Sequence, residues 1–484
     1  MPGYQGLKKF ENGRMPRLGV VVVNPGTAES PTPAAVHRNL DHLILPIRLW
    51  LILPGSSGRR IMNAVIEQKP GQDKALQSQG LAALTFTLHW SDNRVVHEDE
   101  MHVEKFSVWR EADFLPTAIG SSIPGMRAGD SAQAMLPAGE VTGAWDAARQ
   151  VSGSPSRFDR AYRRGLEVEP RYGRFYPRGF FHGLQGVVQE AVEPARITAL
   201  DEQLMRVDLN HPLARFPFKV VCRVDQVLPG SDIRGGRCSS PLDDLVRYPG
   251  LAAPVHDGLD TCFGDAGHGM ARMDEREDKL FYSNSRFVQH LDVRALETVR
   301  ALYARLLPRE ADVLDLMASH DSHLQDCLLS SLHILGMNTE ELRDNRSATA
   351  QVVQDLNQDN TLPFEDASLD AVVCTASVEY LVHPRRIFTE VLRVLRSGGV
   401  FVLTFSNRWF PTKAINVWSE LQEFERVGMV TQWLQQAGFD KLSTFSSRGW
   451  PRPGNDPHSG QITVSDPVYA AWGFKPAERS AAAG

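Results

Sequence analysis

Leu362-Pro-Phe-Glu-Asp-Ala-Ser-Leu-Asp-Ala-Val-Val-Cys374 and, further on, Val391-Leu-Arg-Val-Leu-Arg-Ser-Gly-Gly-Val-Phe-Val-Leu-Thr-Phe405 set out the architecture of the C-terminal part of the chain. The apolar, β-branched runs Ala371–Thr375 and Gly399–Ser406 read as buried strands, and Pro384–Leu395 between them reads as a helix. Working outward, the pattern predicts an amphipathic helix over Arg294–Leu307 and a strand over Asp312–Met317. A helix over Leu324–Leu332, a short strand over Ser331–Leu335 and a helix over Thr339–Asn345 follow. Strands alternating with helices imply βαβ units and a mainly parallel sheet. In such a sheet, ligands lie at the carboxyl ends of strands, near the point where strand order reverses. Two such ends stand out: Met317 with Ala318-Ser-His-Asp-Ser322, and Leu335-Gly-Met-Asn338. A helix starting after the first loop would offer free N–H groups there.

This ordered series, over roughly 311–410, resembles the class I S-adenosylmethionine-dependent methyltransferases of small-molecule type. The resemblance implies S-adenosyl-L-methionine as cofactor. It assigns Asp315, Met317, Ala318, Ser319 and His320 to the methionine part, Asn338 to the ribose, and Asp355 with Leu356 to the adenine. The sequence departs from the family twice. The first loop, Met317-Ala-Ser-His-Asp-Ser-His323, has no Gly-x-Gly, and the ribose position carries Asn338 where the family has an acid. Methyl transfer from a sulfonium needs alignment and exclusion of water, and a base only when the acceptor carries a proton. His320, His323, Glu379, Tyr380 and His383 are the candidate bases. The acceptor is unknown; its pocket is expected from 407–430, with Trp418, and from the lead-in 255–290.

Residues 70–235 have a different texture. Leu84–Trp90, Asp130–Leu136, Leu204–Leu209 and Phe218–Val224 alternate with period two, which predicts an antiparallel β domain. An aromatic-lined trough on such a sheet suits a proline ring. Twisting an X–Pro bond means crossing a barrier of about 20 kcal/mol, which a dry pocket lowers by favouring the less polar twisted amide. Val207-Asp-Leu-Asn-His-Pro-Leu-Ala214, Phe114-Leu-Pro116 and Gly125-Met-Arg-Ala-Gly-Asp130 resemble FKBP-type peptidyl-prolyl isomerases of the SlyD kind. The resemblance implies that 145–204 is an inserted flap domain of chaperone type. It implies a trough lined by Trp90, Phe114, Leu115 and Phe218, with a proline-containing or unfolded polypeptide as partner. Thr142 replaces the family's Tyr, the pocket Asp falls on His97 or Glu98, and Arg215 replaces the closing Gly.

Gly19–Val36, within 1–69, resembles the amino-terminal strand, loop and helix of ferrochelatases. It reads as a fusion remnant without activity, with His37 and His42 as surface residues. The whole is thus expected to be an α/β and α+β multidomain chain. An FKBP-like β domain with an inserted flap domain occupies 70–235 and a linker 236–285. A Rossmann-like methyltransferase with a mainly parallel sheet occupies 286–475. Its 484 residues suit two to four domains. With 42% hydrophobic and 23% charged residues it is globular, and a net charge of −6 gives no basic surplus for nucleic acid. Five cysteines without a Cys-x-x-Cys pair point away from disulfides and zinc and toward a reducing, cytoplasmic setting; no metal is expected. Residues 1–15 lack the apolar core of a secretory signal. Leu43–Pro54, interrupted by Pro46 and Arg48, is too short to span a membrane. Two functions are compatible with this reading: a bifunctional isomerase and methyltransferase, or a non-catalytic folding or scaffold protein with both sites degenerate.

Overall fold

The computed structural model describes residues 74–111, 114–162, 167–188, 191–230, 240–247 and 260–477. All of them fall in one compact unit, Gln68–Gly484. The ferrochelatase-like stretch lies outside the described residues.

The strands are β1 (Leu81–Ser91), β2 (Val95–Ser107), β3 (Ser131–Leu136), β4 (Gln150–Gly153), β5 (Phe175–Pro177), β6 (Pro194–Leu200), β7 (Met205–Asp208), β8 (Phe218–Leu228), β9 (Ala311–Leu316), β10 (Leu329–Gly336), β11 (Ala350–Val353), β12 (Leu369–Thr375), β13 (Leu395–Phe405), β14 (Asp440–Arg448) and β15 (Val468–Phe474). The longer helices are α1 (Val293–Leu306), α2 (Thr339–Asp344), α3 (Pro384–Val394) and α4 (Glu423–Ala437). Eleven strands form one sheet in the order β11-β10-β9-β12-β13-β15-β14-β2-β1-β8-β3. From β11 to β13 the pairing is parallel. β15 runs antiparallel to both β13 and β14. β9 and β12 are almost wholly buried, as a sheet covered on both faces requires. β3 alternates exposed and half-buried positions, as an antiparallel strand with one wet face does.

The antiparallel part, β3-β8-β1-β2, joins this sheet directly, because β2 pairs in parallel with β14 over Val95–Met101. A second sheet, β4-β7-β6-β5, is inserted between β3 and β8. Asn210, within the Asn-His-Pro-Leu-Ala run, closes the neck of this insertion. Its side-chain oxygen accepts from the Asp146 N–H at 2.9 Å, and its amide donates to the Asp146 carbonyl at 2.9 Å. The inserted sheet is fastened to the parallel half by a buried ion pair, in which Arg174 Nε donates to Glu425 of α4 at 2.8 Å.

Three expectations are corrected. No helix forms over Leu324–Leu332: the link from β9 to β10 consists of turns, and β10 begins at Leu329. Asp321 accepts from the His323 N–H at 2.9 Å and from Gln325 at 2.7 Å, so local side-chain bonds take the place of a helical ladder. The stretch 260–285, read as part of a linker, is packed. Gln432 exchanges hydrogen bonds with the Thr261 backbone, and Trp433 donates to Asp265 at 2.6 Å. Finally, Trp90, Leu115 and Phe218 are 5%, 7% and 1% exposed and belong to the main core, whereas Phe114 is 45% exposed. Trp90 stacks on His97 with centroids 4.0 Å apart, and the short helix Pro241–Leu245 packs against β1 and β2. Phe114 therefore stands at the surface, apart from the other three, which pack in the core.

Candidate functional site

Strand order reverses between β9 and β12, so the chain leaves these neighbours on opposite sides and a crevice opens at their carboxyl ends. A cavity of about 120 Å³ lies there. Its walls include Met317, Ala318 and Ser319 after β9, Asn338 and Glu341 after β10, Asp355 and Leu356 after β11, and Ala376, Ser377 and Tyr380 after β12. A second cavity adjoins it, lined by Asp315, His320, Asp321, His323 and Thr375. The two share His290, Met317, Ala318, Ser319, Ala376 and Ser377.

The missing Gly-x-Gly does not prevent the turn after β9. Met317 takes φ 60°, the left-handed conformation in which glycine is usual. The Ala318 N–H then donates to the Leu335 carbonyl at 2.7 Å, across the end of β10. Glycine is needed on the opposite strand instead, since a Cβ at Gly336 would stand 2.3 Å from the Ala318 carbonyl oxygen.

Burial shapes the acids. Asp315 is fully enclosed, and burial raises its carboxyl to about 7, partly opposed by a hydrogen bond from Ser322. Asp355 is raised by burial and by the nearby Asp278 carboxylate. Glu379 is raised to about 7 by burial, and its buried Oε2 has no hydrogen-bond partner. The Asn338 side chain is already committed. Its oxygen caps α2 by accepting from the Glu340 and Glu341 N–H groups at 2.9 and 3.1 Å, and its amide donates to the Tyr282 carbonyl at 2.9 Å. Glu341, three residues on, is the carboxylate that this corner presents to the cavity. It accepts from Ser319 Oγ and from the Arg286 N–H, both at 2.7 Å.

The segment 272–290 covers the crevice. Asp278 anchors it, accepting two bonds from Arg272 at 2.8 and 2.7 Å and one from Asn357 at 2.9 Å, and pairing with the fully buried Lys413 at 3.0 Å. Tyr282, Arg286 and His290 thereby reach the first cavity. Sequence reasoning did not single out these three, nor Glu341. For Glu341 a signal existed: an Asn N-cap followed at the third helical position by Glu.

The candidate bases separate. His320 borders the second cavity and lies 3.2 Å from Ser319 Oγ. His323 is 7% exposed and held 3.3 Å from Asp321. The Tyr380 hydroxyl is occupied, accepting from the Phe410 N–H at 2.9 Å. His383 is exposed at the start of α3 and borders neither cavity. In the 407–430 stretch Phe410 lines the first cavity, whereas Trp418 is wholly buried core.

Residues fitting S-adenosylmethionine are present. Carboxylates at Asp315, Glu341 and Asp355 suit a cationic ligand with hydroxyl and amino groups, and Met317, Leu335 and Leu356 give an apolar bed beside them. Among the described residues no cluster suited to a metal ion occurs, and no helix is long and apolar enough to cross a membrane.

Residues 328–403 match the family model for a methyltransferase domain. An uncharacterized chloroplastic methyltransferase of Arabidopsis thaliana is 41% identical over 69 residues, covering 14% of this chain and 19% of that protein. Demethylmenaquinone methyltransferase of Clavibacter sepedonicus is 26% identical over 165 residues, covering 33% of this chain and 60% of that protein. The matches thus span less than two thirds of either relative. Among solved structures, a SAM-dependent methyltransferase from Archaeoglobus fulgidus superposes with a TM-score of 0.27 at 14% identity, covering 37% of this chain and 94% of that one. One from Mesorhizobium loti gives a TM-score of 0.26 at 14% identity, covering 37% and 99%. The match over residues 328–403, which run from the start of β10 into β13 across the reversed strand order at the crevice, is to a methyltransferase domain, a kind that implies S-adenosylmethionine as cofactor.

Proposed function

We propose that the chain transfers the methyl group of S-adenosylmethionine to an acceptor seated beside the cofactor. The observation that carries this is the paired cavity at the β9–β12 reversal, whose two compartments meet along Met317–Ser319 and Ala376–Ser377. The cofactor, when bound, supplies the electrophilic methyl carbon. The chain's own residues do the rest. Asp355 and Leu356 hold the adenine end, Glu341 receives ribose hydroxyls in place of the committed Asn338, and Asp315 sits behind the methionine end. Tyr282 and Phe410 exclude water from above, which strengthens the electrostatic contacts beneath them. The test is a thermal shift with S-adenosylhomocysteine. At a ligand concentration 100 times Kd, stabilisation of about 2.7 kcal/mol is expected, and no shift removes the reading.

A second reading concerns the antiparallel part, as an FKBP-like module binding proline-containing or unfolded polypeptide. The insertion between β3 and β8, closed by Asn210, favours it. The packed Trp90 and Phe218 argue against efficient isomerisation. A proline tetrapeptide assay on the whole chain decides between the two: acceleration of cis–trans exchange supports an isomerase, and binding of an unfolded protein without acceleration supports a holdase.

A further inference from the structure

We propose that Lys413 is a positioning residue, the latch that keeps residues 272–290 shut over the crevice, and that a ligand at the adenine end sets this latch through Asn357 and Asp278. The inference rests on the methyltransferase reading of the first cavity, and it concerns exchange of the cofactor, not the transfer step.

Lys413, in the loop after β13, is wholly buried. An ammonium so placed is costly unless paired and hydrogen-bonded. Its Nζ donates to the backbone carbonyls of Asp274 and Arg276 at 3.1 and 2.8 Å, and it pairs with the Asp278 carboxylate at 3.0 Å. All three partners lie on the covering segment, within 274–278. The same stretch is tied to the Lys413 loop by the Asp274 N–H, which donates to the Thr412 carbonyl at 2.9 Å. Tyr282 and Arg286, which wall the first cavity, follow directly on this stretch. Letting a ligand in or out past them requires the stretch to part from Lys413.

Asn357 carries the connection to the cofactor. It lines the first cavity, donates its side-chain amide to Asp278 at 2.9 Å, and donates its backbone N–H to Asp355 at 2.9 Å. One residue thus bridges the latch and the carboxylate assigned to the adenine. The two carboxylates also feel each other, since Asp278 raises the Asp355 carboxyl while Arg272 lowers it. A ligand amino group donating to Asp355 offsets its charge, lessens the repulsion on Asp278 and favours the closed latch. By linkage, the closed latch holds the adenine end more tightly in return.

The test uses the full chain. The Arg276 side chain is 79% exposed, but its carbonyl, the group that trypsin attacks, is the one held by Lys413. Cleavage after Arg276, read by mass spectrometry, therefore reports opening of the latch. In wild type, saturating adenosine alone should slow it about fivefold or more, the low end for coupled sites, and homocysteine should leave it unchanged. Lys413→Met leaves Asp278 paired with Arg272 and Asn357, so no carboxylate is stranded. In that variant cleavage should be faster and indifferent to adenosine. S-adenosylhomocysteine should leave it about tenfold faster than wild type in a stopped-flow chase, with association changed by less than about threefold. A lysine that merely supports the fold would lower the melting temperature and leave the effect of adenosine intact. Wild-type cleavage indifferent to adenosine, which needs no variant to show, overturns the proposal. So does adenosine protection retained in Lys413→Met, or an unchanged dissociation rate. Failure of the wild type to bind S-adenosylhomocysteine overturns the methyltransferase reading itself, and the proposal with it.

Discussion

The parallel and antiparallel parts of the long sheet bury their apolar strands in opposite ways. In the parallel part, β9 and β12 are covered on both faces, yet their carboxyl ends stay open, because the connections depart to opposite sides. In the antiparallel part the sequence places more aromatic side chains at strand spacing, and they close on one another: Phe86 on Phe106, Trp90 on His97 and Phe216. Aromatic residues make a pocket only where the topology leaves a gap for them to line. Here the reversal of strand order provides the gap, while Trp90 and Phe218 in the half richer in aromatic residues are buried in the core.

The two parts are nevertheless joined, and breaking that joint should have the largest effect. Arg174 and Glu425 are 2% and 0% exposed. Glu425→Ala strands a buried guanidinium and should destabilise the chain by about 3–5 kcal/mol in urea unfolding, whereas the double variant Arg174→Met/Glu425→Leu recovers most of that. A loss below about 1 kcal/mol would mean that the inserted sheet and α4 are not one cooperative unit.

Phe218→Ala sharpens the contrast. As a core residue it should lose about 3–5 kcal/mol, while Phe114→Ala, on the surface, stays within about 0.5 kcal/mol. Equal small losses would restore the open trough.

The pH response probes the other half. Burial sets the Asp315 carboxyl at about 7 in the folded chain. An unfolded aspartate titrates near ~3.9. Folding therefore takes up a proton between these values, so this group's contribution to stability falls as pH rises from about 4 to about 7 and then levels. Asp315→Asn should match wild type at pH 4 and exceed it by about 2–4 kcal/mol at pH 8. Denaturation curves at both values check this, and an equal difference at the two pH values would show that Asp315 is charged throughout.

Gly336→Ala tests the turn after β9. Its Cβ collides with the Ala318 carbonyl, at a cost of about 1–3 kcal/mol, and should displace the β9 loop. Affinity for S-adenosylhomocysteine, measured by calorimetry, should fall more than stability does. Retained affinity would mean that the loop does not contact the ligand.

Much of the parallel half was legible because its signals are local. The runs Asp312–Met317, Ala371–Thr375 and Gly399–Ser406 are apolar enough to be buried strands anywhere, and α3 follows from its spacing. Met317–Ser319 and Asp355 border the first cavity, because strand ends converge whatever their loops contain. The turn-built link from β9 to β10 was not legible. Leu324–Leu332 carries helix-compatible spacing, and the competing side-chain bonds from Asp321 and Asn345 form only in the folded loop. Nor was the role of Asn338, whose residue type suits a ligand and a helix cap equally.

The strand-helix alternation, the parallel sheet and the position of the crevice follow from residue order alone, since hydrophobic period and strand-end convergence are properties of short stretches. The covering of that crevice by Tyr282, Arg286 and His290 does not. Residues 272–290 read as irregular, and they are ordered by ion pairs from Asp278 to Arg272 and to Lys413, more than 130 residues away. Burial makes those pairs strong, and burial exists only once the sheet has folded.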